Sequence, residues 1–243
     1  MPNLEASTQI AFSRIIERRF FNTGDLDYIS ARVLFFHGLT ENFLWSALQS
    51  AEKHLKAALL FRKIPTGKTH NIEKLYDLLL TSDDVLEPPP IDYSESIEFL
   101  DPECFTVADI VTKLNFDGHS SVRYGEFKYE WSIYDLIAFD WLIKWGRIQS
   151  QTHPNFFERR KIYVSDAPVT TFGAVRLTEK TSEALFYNNF AFGNSPDLQY
   201  GPGLLHMSTD DAIHRYALAQ NDVRGIAARK AEAELLDLIK GKY

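Results

Sequence analysis

The sequence predicts an all-α protein: a helical bundle through about residue 150, then a small mixed or irregular C-terminal extension. Three observations carry this. Apolar residues return at steps of three and four in each long segment before residue 150. Helix-starting and helix-stopping residues punctuate those segments. Runs of β-branched residues of strand length enter only after about residue 155. With 243 residues, 45% of them apolar, the chain can bury a sizeable core.

Near the start, Ala11 and Ile15, and Phe12, Ile16 and Phe20, keep helical spacing up to Asn22-Thr23-Gly24, which predicts a short leading helix ending there. Asp25 is then expected to cap a second helix with Leu26, Ile29, Val33 and Phe36 on one face and Gly38 as its stop. Thr40 is expected to cap a third, in which Leu44, Ala47, Leu48, Ala51, Leu55, Ala58 and Leu59 form the buried stripe while Gln49, Lys53 and Lys56 line another side. Glu52 and Lys56 are an i,i+4 pair in the favourable order. Arg62 and Lys63 suit the negative helix end, and Pro65 and Gly67 close it. A fourth helix starts near Thr69 or Asn71 and buries Ile72, Leu75, Leu78 and Leu79. The stretch TSDDVLEPPPIDY, with three consecutive prolines, predicts an extended connection. Thr106 and Asp109 form a capping-box pattern before a fifth helix ending at Asp117-Gly118. WSIYDLIAFDWLIKWG reads as a sixth, with Tyr134, Ile137, Ala138, Trp141, Leu142 and Trp145 on one stripe and Gly146 as its stop. Beyond it, KIYVSDAPVTTFGAVRL fits two short strands, NNFAFGNSPDLQYGPG a loop, and a last, charged helix runs from Ser208 toward Leu238 and Ile239.

Charge and cysteine content narrow the function classes. A net charge of −7 argues against a surface built throughout for phosphate backbones and leaves room for a local basic stripe. The single cysteine, Cys104, rules out an internal disulfide framework and a cysteine-based zinc site, and fits a reducing compartment. No long apolar core of a signal peptide and no run of about 18 apolar residues occurs, so the expected location is the cytoplasm, away from membranes.

Most motifs that resemble chemistry fail on context. Gly67-Lys68-Thr69 matches the end of a phosphate-binding P-loop, but Arg62 stands where its first glycine belongs and a helix precedes it where a strand is needed. The seven histidines form no HExxH or i,i+4 pair, no acidic cluster has calcium-loop spacing, and GxSxG is missing, so no metal or cofactor is expected. Trp45, Trp131, Trp141 and Trp145 read as core or interface residues. His70 lies at a helix start, where unpaired amides favour an anion, two residues after Lys68; its alternative is a capping or packing role.

The stretches SARVLFFHG, NFLWSALQSAEKHLKAALL and KTHNIEKLYDLL, between Asp27 and Leu79, resemble a HEPN domain, with Gln49 to Lys56 and Thr69 to Leu75 as the characteristic segments. VRYGEF, Val122 to Phe127, is similar to the Arg-Tyr segment of many members. The resemblance spans about residues 25–147 and implies an antiparallel HEPN-type helical bundle, usually a homodimer, in a setting of prokaryotic defence or stress. Many members are metal-independent endoribonucleases acting as toxins, in which an R-x4-6-H pair serves at the dimer cleft, the His moving a proton and the Arg holding the phosphate. Others bind nucleotides or partner proteins.

This chain holds that pattern as Arg32-x4-His37 and Arg147-x5-His153, and chance alone supplies about one such match in a chain of this composition. Arg32 lies away from the motif's usual place, and Phe36 and His37 read as packing. Arg147 and His153 remain the catalytic candidates, set after Gly146 and before Pro154 on a loop. Lys53, Lys56, Lys68, His70 and Arg123 are the ligand-binding candidates for a phosphate or nucleotide; Glu52, Lys56 and Arg123 equally fit a structural polar network. The favoured expectation is an N-terminal helix (residues 1–24) packed on a HEPN-like bundle (25–150) with an extension (151–243), acting as a non-catalytic binding module for nucleotide, RNA or a protein partner. The competing expectations are a metal-independent endoribonuclease using Arg147 and His153, and a pure interaction scaffold docking a protein partner through the extension.

Overall fold

The computed structural model describes residues 4–91, 93, 106–118, 130–153 and 223–241. They form α1 (Leu4–Ile16), a π-helical segment (Glu17–Phe21), α2 (Asn22–Phe36), α3 (Thr40–Phe61), α4 (Ile72–Leu80), α5 (Val107–Asp117), α6 (Ile133–Gln151) and α7 (Val223–Lys240), with no strand among the described residues. The fold class is all-α. The two expected strands, the Ser208 helix start and Arg123 lie outside the described residues.

The helical hairpin of α2 and α3 is the centre of the molecule. Gly38, at φ +68°, turns the chain between them, a backbone angle glycine adopts without strain. Phe35 then meets Phe43 at one end of the hairpin, and Ser50 Oγ donates to the Gly24 carbonyl at the other. α6 lies along both helices. Arg32 pairs with Asp140, and Asp25 with Arg147, so α6 runs antiparallel to α2. The α3 stripe is buried as its spacing predicts, from Leu44 through Leu59, and joins Tyr28, Ile110, Leu114, Leu136, Phe139 and Ile143 in the main core.

Capping residues explain the starts of α4, α5 and α6. Asn71 accepts from the Lys74 amide at the start of α4, Thr106 and Asp109 form the expected capping box on α5, and Ser132 and Asp135 form a second one on α6.

Four expectations are corrected. Asn22-Thr23-Gly24 does not end a helix: α1, the π-helical segment and α2 follow one another without a break. Asp25 is therefore no cap but a buried residue inside α2. Thr40 is the first residue of α3, with Leu39 at the cap position and no side-chain cap bond. Gly146 does not stop α6, which continues to Gln151. Both misread glycines face the His54 ring side of α3. A Cβ on Gly24 would stand 3.0 Å from His54 Nε2, and one on Gly146 would stand 3.2 Å from His54 Cβ. They are glycines because helices approach there closely, and a continuing helix tolerates glycine at a cost of about 1 kcal/mol.

A second, smaller core joins distant parts of the chain. Phe12, Ile15, Ile16 and Phe21 pack with Ala57, Leu60 and Phe61 of α3 and with Ala231, Leu235 and Leu238 of α7. Arg19 reaches Glu232 at 2.5 Å and Lys63 reaches Glu234 at 2.8 Å around its rim. The Thr66 amide donates to the Leu238 carbonyl at 3.2 Å. The described end of the charged last helix thus packs on its own chain.

Candidate functional site

Among the described residues, three places gather the charged side chains that the sequence offers for chemistry: a buried seam between α2, α3 and α6, a surface cluster where α3 meets the turn before α4, and the Asp84 carboxylate with Arg62 and His153.

In the seam, apolar periodicity is interrupted by charge. Leu136, Asp140, Ile143 and Arg147 follow one another at steps of four, three and four on α6, and all are buried. Asp25, Tyr28 and Arg32 do the same on α2. The partners match: Arg32 and the Tyr28 hydroxyl both donate to Asp140, the latter at 2.7 Å, and Arg147 donates to Asp25. His54 Nε2 lies 3.3 Å from Asp25 Oδ1, without hydrogen-bond alignment. Phe21 meets the His54 ring edge-on at 5.4 Å and lies under the Arg147 guanidinium at 4.8 Å.

Burial governs the protonation of this seam. It pushes the Asp25 carboxyl up, but Arg147 and His54 together hold it below the usual carboxylate value. Burial lowers His54 despite the nearby Asp25, so the ring is neutral at neutral pH. Burial raises Asp140 to about 6 against the opposing pull of Arg32 and Tyr28.

These facts fix the position of the catalytic candidates. Arg147 is a fully buried residue inside α6, not a loop residue, and its guanidinium is committed to Asp25. His153 follows the end of α6, partly buried, with Nε2 3.6 Å from Asp84. Burial and the Arg62 charge lower the His153 pKa, and Asp84 raises it. Asp84 also accepts from Arg62 Nε at 2.9 Å and Ser82 Oγ at 2.7 Å. Arg147 and His153 therefore engage different carboxylates. In the other match to the pattern, Arg32 is buried on Asp140 and lies over the Phe36 ring, which packs edge-on against Phe35, while His37 is exposed.

The surface cluster collects three residues around one carboxylate. Lys56 Nζ meets Glu52 Oε1 at 2.7 Å, and His70 Nδ1 lies 3.1 Å from both Glu52 oxygens. Glu52 and Lys56 are buried, whereas the His70 side chain is 78% exposed. Lys68 is exposed and makes no ion pair among the described residues. Lys53 is turned aside to Asp27. The α4 amides expected to attract an anion already have partners: Ile72 N–H donates to Asn115 Oδ1 at 3.0 Å, and Lys74 N–H to Asn71 Oδ1 at 2.9 Å. Of the ligand-binding candidates, Lys56 and His70 come together, with Lys68 at the same turn.

His54 and Asp140 belong to no motif in the sequence, and Asp25 carries the local mark of a cap instead of a seam residue. The signal was present in the register: charged residues three or four places from apolar ones on the face that packs. Trp145 is core as expected, while Trp45 is 42% exposed and Trp141 partly buried. No group of three or more metal-ligating side chains occurs among the described residues, and no described helix is long and apolar enough to cross a membrane.

Comparison with known proteins supplies one family. Residues 18–134 match the HEPN domain model, a stretch that runs from the π-helical segment into the first turn of α6. Neither a curated protein nor a solved structure matches the chain. Arg147 and His153 lie beyond the matched stretch, whereas Glu52, Lys56, Lys68 and His70 lie within it. An all-α bundle, the hairpin of α2 and α3, and the Gln49–Lys56 and Thr69–Leu75 segments converge with that match: residues 18–134 are similar to the HEPN domain family.

Proposed function

We propose that this protein is a non-catalytic HEPN-type binding module, working as a homodimer, whose ligand is the phosphate of a nucleotide or RNA. The observation that carries this reading is the burial of Arg147 on Asp25. A guanidinium enclosed in a helical seam is unavailable to a substrate phosphate, which removes half of the R-x5-H pair. Among the described residues of the matched stretch, the Lys68–His70 turn is open to solvent and is backed by Lys56. Lys56 offsets the charge of Glu52, so Lys68 leaves the cluster net positive toward an incoming anion.

The test pairs binding with cleavage. Addition of ATP is expected to raise the melting temperature, because a ligand that binds only the folded state stabilises it, and Lys68→Ala with His70→Ala is expected to abolish the rise. A mixed RNA incubated with the protein in EDTA is expected to stay intact. Cleavage that disappears in His153→Ala would make the protein a ribonuclease, and no thermal shift with nucleotide or short RNA would remove the phosphate-binding reading.

A further inference from the structure

The proline stretch after α4 is seated on α6 in the way a bound peptide is. The Gln149 carboxamide accepts from the Leu86 amide at 3.1 Å and donates to the Leu86 carbonyl at 3.1 Å. Trp145 Nε1 donates to the same carbonyl at 2.8 Å. The backbone of Leu86 is thus clamped from both sides while its side chain stays 53% exposed. Seven residues on, Tyr93 meets Tyr134 near the other end of α6 at 5.6 Å, and Ile91 is buried in the main core.

These anchors give the strap a direction and a conformation. Leu86 is held at Trp145 and Gln149 and Tyr93 at Tyr134, so the strap runs antiparallel to α6. From Tyr134 to the midpoint of Trp145 and Gln149 is about 20 Å at 1.5 Å per residue. Seven residues in polyproline II cover about 22 Å at 3.1 Å per residue, and Pro88, Pro89 and Pro90 fix that conformation. The described residues of the strap, 86–91 and 93, are therefore spaced along α6 as an extended peptide.

Trp141, Trp145 and Gln149 are one helical turn apart on the same line of α6. Two of them are satisfied by Leu86. The third is not: Trp141 Nε1 is buried without a hydrogen-bond partner. A proline run has no N–H groups and offers carbonyls, for which an indole N–H is the matching donor. Lys144 lies over the Trp141 ring at 4.4 Å and brings a positive charge to this line, and Glu87 precedes the prolines. A cis-seated strap that leaves a buried donor unused is an incomplete ligand.

We propose that the line Trp141–Trp145–Gln149, with Tyr76 and Tyr134 beside it, is a recognition surface for an extended, acid-flanked proline segment of a partner protein, which displaces the chain's own Leu86–Tyr93 strap. The strap is an intramolecular competitor: tethering gives it an effective concentration of about millimolar, and the partner's apparent affinity falls by the fraction of molecules in which the strap is seated.

The test uses the full chain and a labelled peptide of its own sequence, VLEPPPIDY. Replacing Pro88, Pro89 and Pro90 together with glycine loosens the strap without touching α6. That variant is expected to bind the peptide about tenfold tighter than the unaltered protein, because the tethered competitor has lost its preset conformation. Trp141→Phe in the same background, which removes only the donor, is expected to weaken binding severalfold, and a peptide with alanines for prolines is expected to bind about tenfold worse. If the glycine variant fails to fold, the unaltered protein with millimolar peptide serves instead, and the Trp141 and Trp145 indole N–H resonances are expected to shift. Equal binding of the alanine peptide, no effect of Trp141→Phe, or unmoved indole resonances would overturn the proposal. Dimerisation of the glycine variant by exchange of straps between copies would overturn it in favour of a second chain as the occupant.

Discussion

His54 is enclosed by two glycines, a phenylalanine edge and the carboxylate of Asp25. Its protonation is therefore linked to folding. Its folded pKa lies below the ordinary 6.5, so the unfolded chain takes up a proton first as pH falls. Its contribution to stability is present above pH 6.5 and is lost on acidification. Asp140 has the opposite sign. With a folded value of about 6 against an ordinary 3.8, it favours the folded state at low pH and loses that contribution as pH rises through 6. The two oppose each other between about pH 4 and 6. Asp140→Asn is expected to lower stability throughout, because Arg32 loses its buried partner. It is also expected to steepen the loss of stability between pH 6 and 5, by up to about 1.4 kcal/mol per pH unit. Urea midpoints across that range decide the matter, and equal slopes in both proteins would rule out the opposed linkage.

At the level of elements, glycines are where the sequence misleads and caps are where it informs. Gly24 and Gly146 carry the local mark of a helix end, yet each marks the close approach of a neighbouring helix to His54. A sequence shows the missing side chain but not the partner that requires its absence. Thr106 with Asp109 was legible because a capping box is a purely local pattern. The α3 stripe was legible because 22 residues of regular spacing leave few alternatives. The Arg147 placement failed for the same reason as Gly146: a helix assumed to stop at residue 146 puts the next residue on a loop, and the real helix turns it into the seam. Gly146→Ala separates the two roles of glycine. Helix propensity alone predicts a gain of about 1 kcal/mol. The 3.2 Å approach to His54 Cβ predicts overpacking of about 1–3 kcal/mol, which wins because α6 is held in place by its buried ion pairs to α2. Chemical denaturation is expected to show net destabilisation, and a stabilised variant would restore the helix-stop interpretation.

For the whole molecule, the second core changes the meaning of the extension. Leu235 and Leu238 of α7 are buried against Phe12, Ile15, Ile16 and Phe61, so the described end of the extension completes a core. Leu235→Ala is expected to cost about 2–5 kcal/mol and to increase binding of a hydrophobic dye. An unchanged denaturation midpoint would mean that α7 docks too weakly to count in folding. Ion pairs from Arg19 to Glu232 and from Lys63 to Glu234 tie the described part of this helix to its own chain.

That same core sets a timetable for biosynthesis. The apolar faces of α1 and of the end of α3 leave the ribosome early, but their cover in α7 follows Phe61 by about 170 residues, or roughly 10–35 s at ordinary translation speed. The hairpin and α6 assemble within that interval while Phe12, Ile16 and Phe61 stay uncovered. The nascent chain therefore exposes an apolar flank until α7 emerges, and the docking of α7 is the step that covers it.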